Sequence, residues 1–244
     1  MISLPNIQPA EKQELRTDGM IDVQECFPTL QGEGPDAGTP AYFIRLAGCT
    51  LTCPRCDTNY TSTRKLMSIG GILAFVENNM PPKGMVVITG GEPFRQDITM
   101  LVLALMDADC VGKGKPHSQP KVQIETNGTL ALPEHGIWTA RDLSIVCSPK
   151  TGAINPFFER KIRAYKYVIA EGCVDSIDGL PTSALGLGVR PARPLGNYKG
   201  PIFLQPEDSG DEVKNLANMN AAIDCCLTYG HKLSSQNHKV WGLR

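Results

Sequence analysis

Residues 41–56 read AYFIRLAGCTLTCPRC, a β-rich run that leads directly into three closely spaced cysteines. The part 41–47 is rich in aromatic and β-branched residues and is followed by Gly48, which predicts a strand. The cysteines therefore lie on the loop at the carboxyl end of that strand. Active sites of parallel α/β folds are built on such loops, so this segment is the first candidate for a functional site.

Short apolar runs recur along the rest of the chain, alternating with helical patterns. The runs that predict further strands are 85–89, 121–126, 143–147, 165–170 and 202–205. Apolar residues at helical spacing predict helices over 68–78, 97–107 and 212–227, with Ser68 as an N-cap. About six strand–helix units of this kind are fewer than the eight of a full barrel, which predicts an incomplete α/β barrel.

The overall composition excludes several classes of protein. The chain has 244 residues and a formal net charge of −1, so it offers no basic surface for direct binding of nucleic acid. The longest clean apolar run, 100–106, is too short to span a bilayer, and residues 1–15 lack the apolar core of a signal peptide. These features predict a single-domain cytoplasmic protein, with inserted loops at 111–120 and 179–200.

The cysteines are the unusual part of the composition. Nine cysteines without an export signal predict free thiols in a reducing compartment. Cys147 lies on a predicted strand and Cys225 and Cys226 on a predicted helix, so all three are expected to be small buried side chains. The cluster at Cys49, Cys53 and Cys56 needs a chemical explanation.

Three thiolates at spacings of four and three positions can hold one inorganic centre. Iron–sulfur clusters usually have four thiolate ligands, so three would leave one iron with an open coordination position, where chemistry can occur. A structural zinc site would need a fourth ligand, and the four histidines form no paired motif. A redox pair of Cys53 and Cys56 would leave Cys49 without a role. Packing of all three in a core does not suit a loop rich in Thr, Pro and Arg.

The CxxxCxxC spacing resembles the signature of the radical S-adenosylmethionine (SAM) superfamily. A second motif, TGGEP at 89–93, directly follows a predicted strand. The resemblance implies a (βα)6-type partial barrel and a 4Fe–4S cluster whose unique iron chelates the amino and carboxylate groups of SAM. Reduction of the cluster would cleave SAM to a 5′-deoxyadenosyl radical.

A narrower resemblance is to the 7-carboxy-7-deazaguanine synthase family. The segments that carry it are LQGEG at 30–34, FIRLAGC at 43–49, CDT at 56–58, ETNG at 125–128, CSPK at 147–150, KYV at 166–168, QP at 205–206 and HK at 238–239. It spans about 22–244 and leaves 1–21 as an N-terminal extension of one radical SAM domain.

The resemblance assigns roles to individual positions. Cys49, Cys53 and Cys56 would bind the cluster, and Thr58 would coordinate Mg²⁺. The other residues expected near the cluster and SAM are Arg55, Asp57, Gly91, Glu92, Glu125, Ser148, Pro149, Lys150 and Gln205. Those expected at the substrate are Leu30, Gln31, Gly32, Arg45 and Thr89, with Arg45 facing a carboxylate.

Simpler structural interpretations compete with three of these assignments. Arg45 lies inside an apolar strand, where it could instead form a buried ion pair. Thr58 could be an ordinary turn residue. Glu33 could support its loop rather than bind a ligand.

The activity implied by the resemblance is ring contraction of 6-carboxy-5,6,7,8-tetrahydropterin to 7-carboxy-7-deazaguanine with loss of ammonia, in biosynthesis of queuosine and other 7-deazapurines. A reductant protein such as flavodoxin or ferredoxin and a homodimeric state are also implied. Two alternatives remain at this stage: another radical SAM enzyme such as a glycyl-radical activase, and a zinc-binding or redox interaction module.

Overall fold

The computed structural model describes residues 6–107 and 121–243. The inserted loop predicted at 111–120 lies outside these described residues. The connection 179–200 contains no helix or strand and makes one isolated bridge, from Pro181 to Val174. That this connection is an insertion stays a prediction, as does the single-domain organisation.

A nine-stranded sheet organises the described chain. Its strands are β1 (Met20–Leu30), β2 (Pro40–Leu46), β3 (Lys65–Ser68), β4 (Met85–Gly90), β5 (Val122–Thr126), β6 (Leu143–Cys147), β7 (Ile162–Ile169), β8 (Ile202–Pro206) and β9 (Lys232–Leu233). The order across the sheet is β3-β1-β2-β4-β5-β6-β7-β8-β9. Because β3 and β9 are separate edges, the sheet is open, which confirms the predicted incomplete barrel.

The direction of the strands determines where a site can form. Every neighbouring pair from β2 to β9 is parallel, whereas β1 is antiparallel to both β2 and β3. The carboxyl ends of β2 and β4–β8 therefore meet along one edge of the sheet. Loops from distant parts of the sequence converge there.

The helices lie close to their predicted positions. They are α1 (Ile69–Asn79), α2 (Thr99–Met106), α3 (Glu212–Tyr229) and the short α4 (Asn237–Val240). The predicted cap at Ser68 is confirmed, since its side chain accepts a hydrogen bond from the Gly71 N–H. The chain between β5 and β6 and between β6 and β7 forms only short 3-10 turns.

Strand β1 was not predicted from the sequence. Its pairing with β2 shifts register between Val23 and Glu25, so the buried side chains do not alternate regularly along it. Strand β3 was missed as well, because all four of its residues are exposed or half-buried and carry no periodic signal.

The hydrophobic core includes an aromatic cluster. Phe94 contacts Phe158 with ring centroids 5.0 Å apart, and Trp138 packs against Phe94. Cys147 and Cys225 are buried as predicted, whereas Cys226 is only half-buried. All eight cysteines in the described residues are free thiols. Among the helices described, none has the length and apolar character needed to cross a membrane.

Candidate active site

A cavity of about 430 Å³ opens at the carboxyl ends of the parallel strands. The structure brings together at this cavity nearly all of the residues expected from the sequence. The predicted residues that line it are Leu30, Gln31, Gly32, Arg45, Cys49, Cys53, Arg55, Cys56, Asp57, Thr58, Thr89, Gly91, Glu125, Ser148, Lys150 and Gln205. Glu92 and Pro149 are not part of the lining.

The three-cysteine loop forms one wall of this cavity. Cys49 and Cys53 are buried and Cys56 is half-buried. Burial raises the pKa of the Cys49 thiol to about 12 and also raises the pKa values of Cys53 and Cys56. In the protein alone these thiols are therefore protonated at neutral pH, and binding of a metal centre must release their protons.

The arrangement of the thiols distinguishes between kinds of metal centre. Within residues 6–107 and 121–243, no group of three or more His, Cys, Asp or Glu side chains is arranged to hold a single metal ion. A 4Fe–4S cluster makes a different demand, because each thiolate binds a different iron and the sulfurs need not converge on one point. Three thiols around one cavity wall fit such a cluster.

The turn after β4 packs directly on the cysteine loop. The Glu92 N–H donates to the Gly48 carbonyl at 3.0 Å, and the Gly91 N–H donates to the Leu46 carbonyl at 3.3 Å. A Cβ atom at Gly91 would lie 2.1 Å from the Gly48 carbonyl oxygen, so only glycine allows this approach. The two motifs noted in the sequence therefore form one unit.

The side chain of Glu92 lies behind the cavity wall. Its carboxylate accepts hydrogen bonds from the Phe94 N–H, the Thr126 hydroxyl and the Asn127 N–H, at 2.7–3.0 Å. Burial raises the pKa of Glu92 to about 7 despite these bonds. Glu92 thus connects the turn after β4 to the end of β5, and its predicted contact with a cofactor stays a prediction.

Asn127 was not among the predicted site residues, although it belongs to a recognised motif. Its side-chain oxygen accepts from the Thr129 N–H at 2.9 Å, whereas its buried amide nitrogen has no partner. The Gln205 side-chain oxygen is also buried without a partner. Both residues line the cavity. Buried polar atoms without partners are costly, so this pair fits a polar ligand in the cavity.

Lys150 lies beside the cysteine loop. Its ammonium group donates to the carbonyl oxygen of Ser148 at 3.0 Å and to the Ser148 hydroxyl. Burial lowers the pKa of Lys150, and the nearby thiols of Cys53, Cys147 and Cys56 oppose this effect. Thiolates formed on metal binding would favour the charged ammonium, so Lys150 suits an anionic centre.

The cavity is also lined by Arg45 and by a hydrogen-bonded group around Glu125. Arg45 pairs with Glu25 at 3.2 Å, yet its Nε is buried without a partner. The Thr89 hydroxyl donates to Glu125 at 2.9 Å, and the Gln31 amide donates to the other carboxylate oxygen at 3.1 Å. Arg45 thus forms the ion pair of the simpler interpretation, but the pair is only half-buried and Arg45 also lines the cavity.

A buried ion pair between Glu33 and Lys166 was not predicted as a functional feature. Burial opposes ionisation of both groups, but their mutual attraction is stronger, so the pKa of Glu33 is lowered and that of Lys166 is raised. Glu33 also accepts a hydrogen bond from Gln236 at 3.1 Å. Glu33 therefore holds its own loop and the C-terminal segment against the sheet, in agreement with the supporting role considered above.

The C-terminal helix α4 covers one side of the cavity. The Lys239 ammonium group donates to Asp57 at 3.1 Å and to Asp208 at 2.6 Å. His238 packs so closely on Gly32 that a Cβ atom there would lie 2.3 Å from the ring Nδ1. The resemblance included His238 and Lys239, but the sequence did not indicate which residues they contact.

Thr58 lies at the rim of the cavity, next to Asp57. Its hydroxyl donates to the Asp57 carboxylate at 3.4 Å. Burial opposes ionisation of Asp57, but the charge of Lys239 and hydrogen bonds from Gln236 and Lys239 hold its pKa below the usual range. A hydroxyl beside an ionised carboxylate provides oxygen ligands, which suits a magnesium ion.

The open parallel sheet, with three cysteines on one strand-end loop and a glycine-rich turn on the next, has the architecture of a radical SAM enzyme. A relative from Rhodospirillum rubrum named 7-carboxy-7-deazaguanine synthase is 40% identical over 232 residues, which cover 89% of this chain and 90% of the relative. A relative from Rickettsia prowazekii with the same name is 37% identical over 91% of this chain and 88% of the relative. The chain therefore belongs to the 7-carboxy-7-deazaguanine synthase family.

A comparison with solved structures agrees on the fold. The crystal structure of QueE from Escherichia coli superposes with a TM-score of 0.60 at 21% sequence identity, covering 90% of this chain and 95% of that one. No family model matches the sequence.

Proposed function

We propose that this protein is a radical SAM lyase that converts 6-carboxy-5,6,7,8-tetrahydropterin to 7-carboxy-7-deazaguanine with loss of ammonia, in biosynthesis of queuosine and other 7-deazapurines. The observation that carries the proposal is the shared cavity. Cys49, Cys53 and Cys56 line it together with Arg45 and Glu125. A redox cofactor and a small anionic substrate could therefore be held side by side.

The cofactor side of the cavity would hold a 4Fe–4S cluster on the three cysteines and SAM next to it. When bound, these cofactors supply a carbon radical that removes a hydrogen atom from the substrate. Gly91 would contact SAM from the turn after β4, and Ser148, Lys150 and Gln205 would offer polar atoms to it. The unpartnered amide of Asn127 is a further donor on this side.

The substrate side would recognise the carboxylate and the polar edge of the pterin. The free Nε of Arg45 offers a charged donor to the carboxylate, while the Glu25 pair holds the guanidinium in place. Glu125 is expected from the resemblance near the cluster and SAM, but it accepts hydrogen bonds from two proposed substrate residues, Thr89 and Gln31, so we assign its carboxylate to the substrate side. Leu30 and Gly32 also line the cavity. Rigid positioning of this kind limits the side reactions of a radical.

A magnesium ion at Thr58 completes the proposed site. Thr58 would supply a hydroxyl ligand, and substrate oxygens and water would supply others. The charge of the ion would hold the substrate carboxylate and stabilise negative charge that develops during rearrangement.

The proposal extends to partners and location. A protein such as flavodoxin or ferredoxin would deliver the electron to the cluster, and the active form would be a homodimer in the cytoplasm. The free thiols of the described residues suit a reducing compartment. The substrate is a free pterin, so direct contact with nucleic acid is not required.

The cofactor assignment can be tested by anaerobic reconstitution with iron and sulfide. The wild-type protein should bind about four irons per chain, show the broad absorbance of a cluster, and cleave SAM after reduction. Cys53→Ala should lose all three properties. Cys226→Ala, a half-buried thiol on α3 outside the cavity, is the matched control and should retain them. A Cys53→Ala protein with an intact cluster would show that the assignment is wrong.

A further inference from the structure

The segment before β1 is hydrogen-bonded to the backbone of the cysteine loop. Residues 6–14, here called the N-terminal strap, belong to the part of the chain outside the resemblance noted above. We propose that the N-terminal strap positions the cysteine and metal-binding loop, and that Gln8 fixes the backbone that presents Thr58. This inference rests on the proposed function, because it assigns the strap a role in that same site.

The strap holds the backbone of the cysteine loop at both ends. The Asn6 N–H donates to the Pro54 carbonyl at 2.9 Å, and the Asn6 side-chain amide donates to the Cys53 carbonyl at 3.1 Å. Farther along, the Glu11 N–H donates to the Cys49 carbonyl at 2.7 Å. Two of the three proposed cluster ligands therefore have their carbonyl groups held by this segment.

Gln8 makes the closest connection to the proposed magnesium ligand. Its side-chain amide donates to the Thr58 carbonyl at 2.9 Å. Its side-chain oxygen accepts from the Tyr60 N–H at 2.7 Å and from the Thr61 hydroxyl at 3.1 Å. One side chain thus holds the backbone on both sides of residue 59 and limits the positions that the Thr58 hydroxyl can take.

The strap is itself anchored to a rigid part of the fold. The Glu11 carboxylate pairs with Arg95 at 3.3 Å, and the Glu14 N–H donates to the Arg95 carbonyl at 2.8 Å. Arg95 is buried in the turn after β4 and also donates to the Ala47 carbonyl at 3.2 Å. Gln13 donates to the Phe94 carbonyl at 2.9 Å. The position of the strap is therefore determined by the sheet as well as by the loop that it holds.

Two substitutions of Gln8 distinguish the role of its side-chain amide, which donates, from that of its side-chain oxygen, which accepts. Gln8→Ala removes these three hydrogen bonds and a fourth, which the Gln8 amide donates to the Asn6 side-chain oxygen at 3.0 Å. Gln8→Glu keeps an acceptor for the Tyr60 N–H but cannot donate to the Thr58 carbonyl. Ile7→Ala is the matched control, since the neighbouring Ile7 side chain is 92% exposed. None of these changes removes a cysteine or a residue that lines the cavity.

The test compares the Mg²⁺ concentration for half-maximal turnover with amide hydrogen exchange of the peptide over 58–61. Both Gln8 variants lose the hydrogen bond to the Thr58 carbonyl, and loss of that one bond should raise the Mg²⁺ requirement about fivefold. Both should keep the wild-type iron content and KM for SAM. Gln8→Ala should also exchange faster at Tyr60, whereas Ile7→Ala should match the wild type in every measurement.

Two results would overturn the inference: unchanged exchange in Gln8→Ala, or a wild-type Mg²⁺ requirement in both Gln8 variants. A failure of the proposed function has a different signature, because the wild-type protein itself would then bind no cluster or show no Mg²⁺ dependence.

Discussion

Gly91 and Gly48 lie so close together that a Cβ atom on Gly91 would be 2.1 Å from the Gly48 carbonyl oxygen. The same carbonyl accepts the Glu92 N–H, so the turn after β4 and the start of the cysteine loop are joined by contact and by a hydrogen bond. This contact explains why two separate glycine-containing motifs act as one site.

Gly91→Ala should displace the cysteine loop, because the clash is with backbone and cannot be relieved by a side-chain rotation. We expect a lower iron content after reconstitution and a lower Tm. Gly70→Ala is the control, since nothing lies within 4 Å of a Cβ atom there. Alanine at that position in α1 should be neutral or stabilising by up to about 1 kcal/mol. Normal cluster assembly in Gly91→Ala would contradict this account of the contact.

The buried pair of Glu33 and Lys166 gives a prediction about stability. Lys166→Met leaves the Glu33 carboxylate buried without its partner and should cost about 3–5 kcal/mol in the free energy of unfolding, measured with urea. Adding Glu33→Gln removes the unpaired charge, so the double variant should be more stable than the sum of the two single losses. Strict additivity would show that the two groups do not interact.

Arg45 gives a prediction about substrate binding. Arg45→Lys keeps the charge but loses the planar donor group, including the Nε that has no protein partner. The KM for the carboxypterin should rise about 10-fold or more, the effect of one charged hydrogen bond, with little change in the KM for SAM. Arg141→Lys, on an exposed arginine, should leave both constants unchanged. Equal increases in both KM values would point to a general distortion of the cavity.

Thr58 gives a prediction about the metal. Thr58→Ala removes the proposed hydroxyl ligand and should weaken Mg²⁺ binding, so that Mg²⁺ stimulates turnover less or only at higher concentration, while iron content stays normal. Thr58→Ser retains the hydroxyl and should restore most of the response to Mg²⁺. If Thr58→Ala responds to Mg²⁺ as the wild type does, Thr58 is a turn residue only.

Cys26 gives a prediction about pH. Burial raises the pKa of its thiol to about 11 in the folded protein, above the value of an exposed thiol. The unfolded chain therefore loses this proton first, and Cys26 contributes a loss of stability as pH rises from about 9 to 11. Cys26→Ala should make the fall in unfolding free energy shallower over that range, by up to about 1.4 kcal/mol per pH unit. An unchanged slope would exclude this linkage.

Much of the fold could be predicted from local pattern. Strand β2, the capped helix α1 and the long helix α3 each have a regular apolar spacing, and the structure confirms all three. Strand β1 escaped prediction because its register shift breaks the alternation. Because β2 was predicted, the position of the cysteine loop at the carboxyl end of that strand could be predicted as well.

The charged part of the cavity could not be predicted in the same way. Glu33, Lys166 and Gln236 are far apart in the sequence, and only the parallel sheet brings them together. The motif alone also did not show which of its residues face the cavity. Gly91 and Glu92 are neighbours in the sequence, but only Gly91 lines the cavity. Motif residues thus indicated the location of the site, while the tertiary structure decided which side chains face it.

The most direct test of the account is anaerobic turnover of the reconstituted protein with 6-carboxy-5,6,7,8-tetrahydropterin, SAM, Mg²⁺ and dithionite. The measurement is the amount of 7-carboxy-7-deazaguanine formed per chain, together with the SAM remaining. We expect many equivalents of product with SAM not consumed in proportion, because return of the hydrogen atom regenerates it. Absence of product from a protein that carries an intact cluster and cleaves SAM would contradict the proposed function.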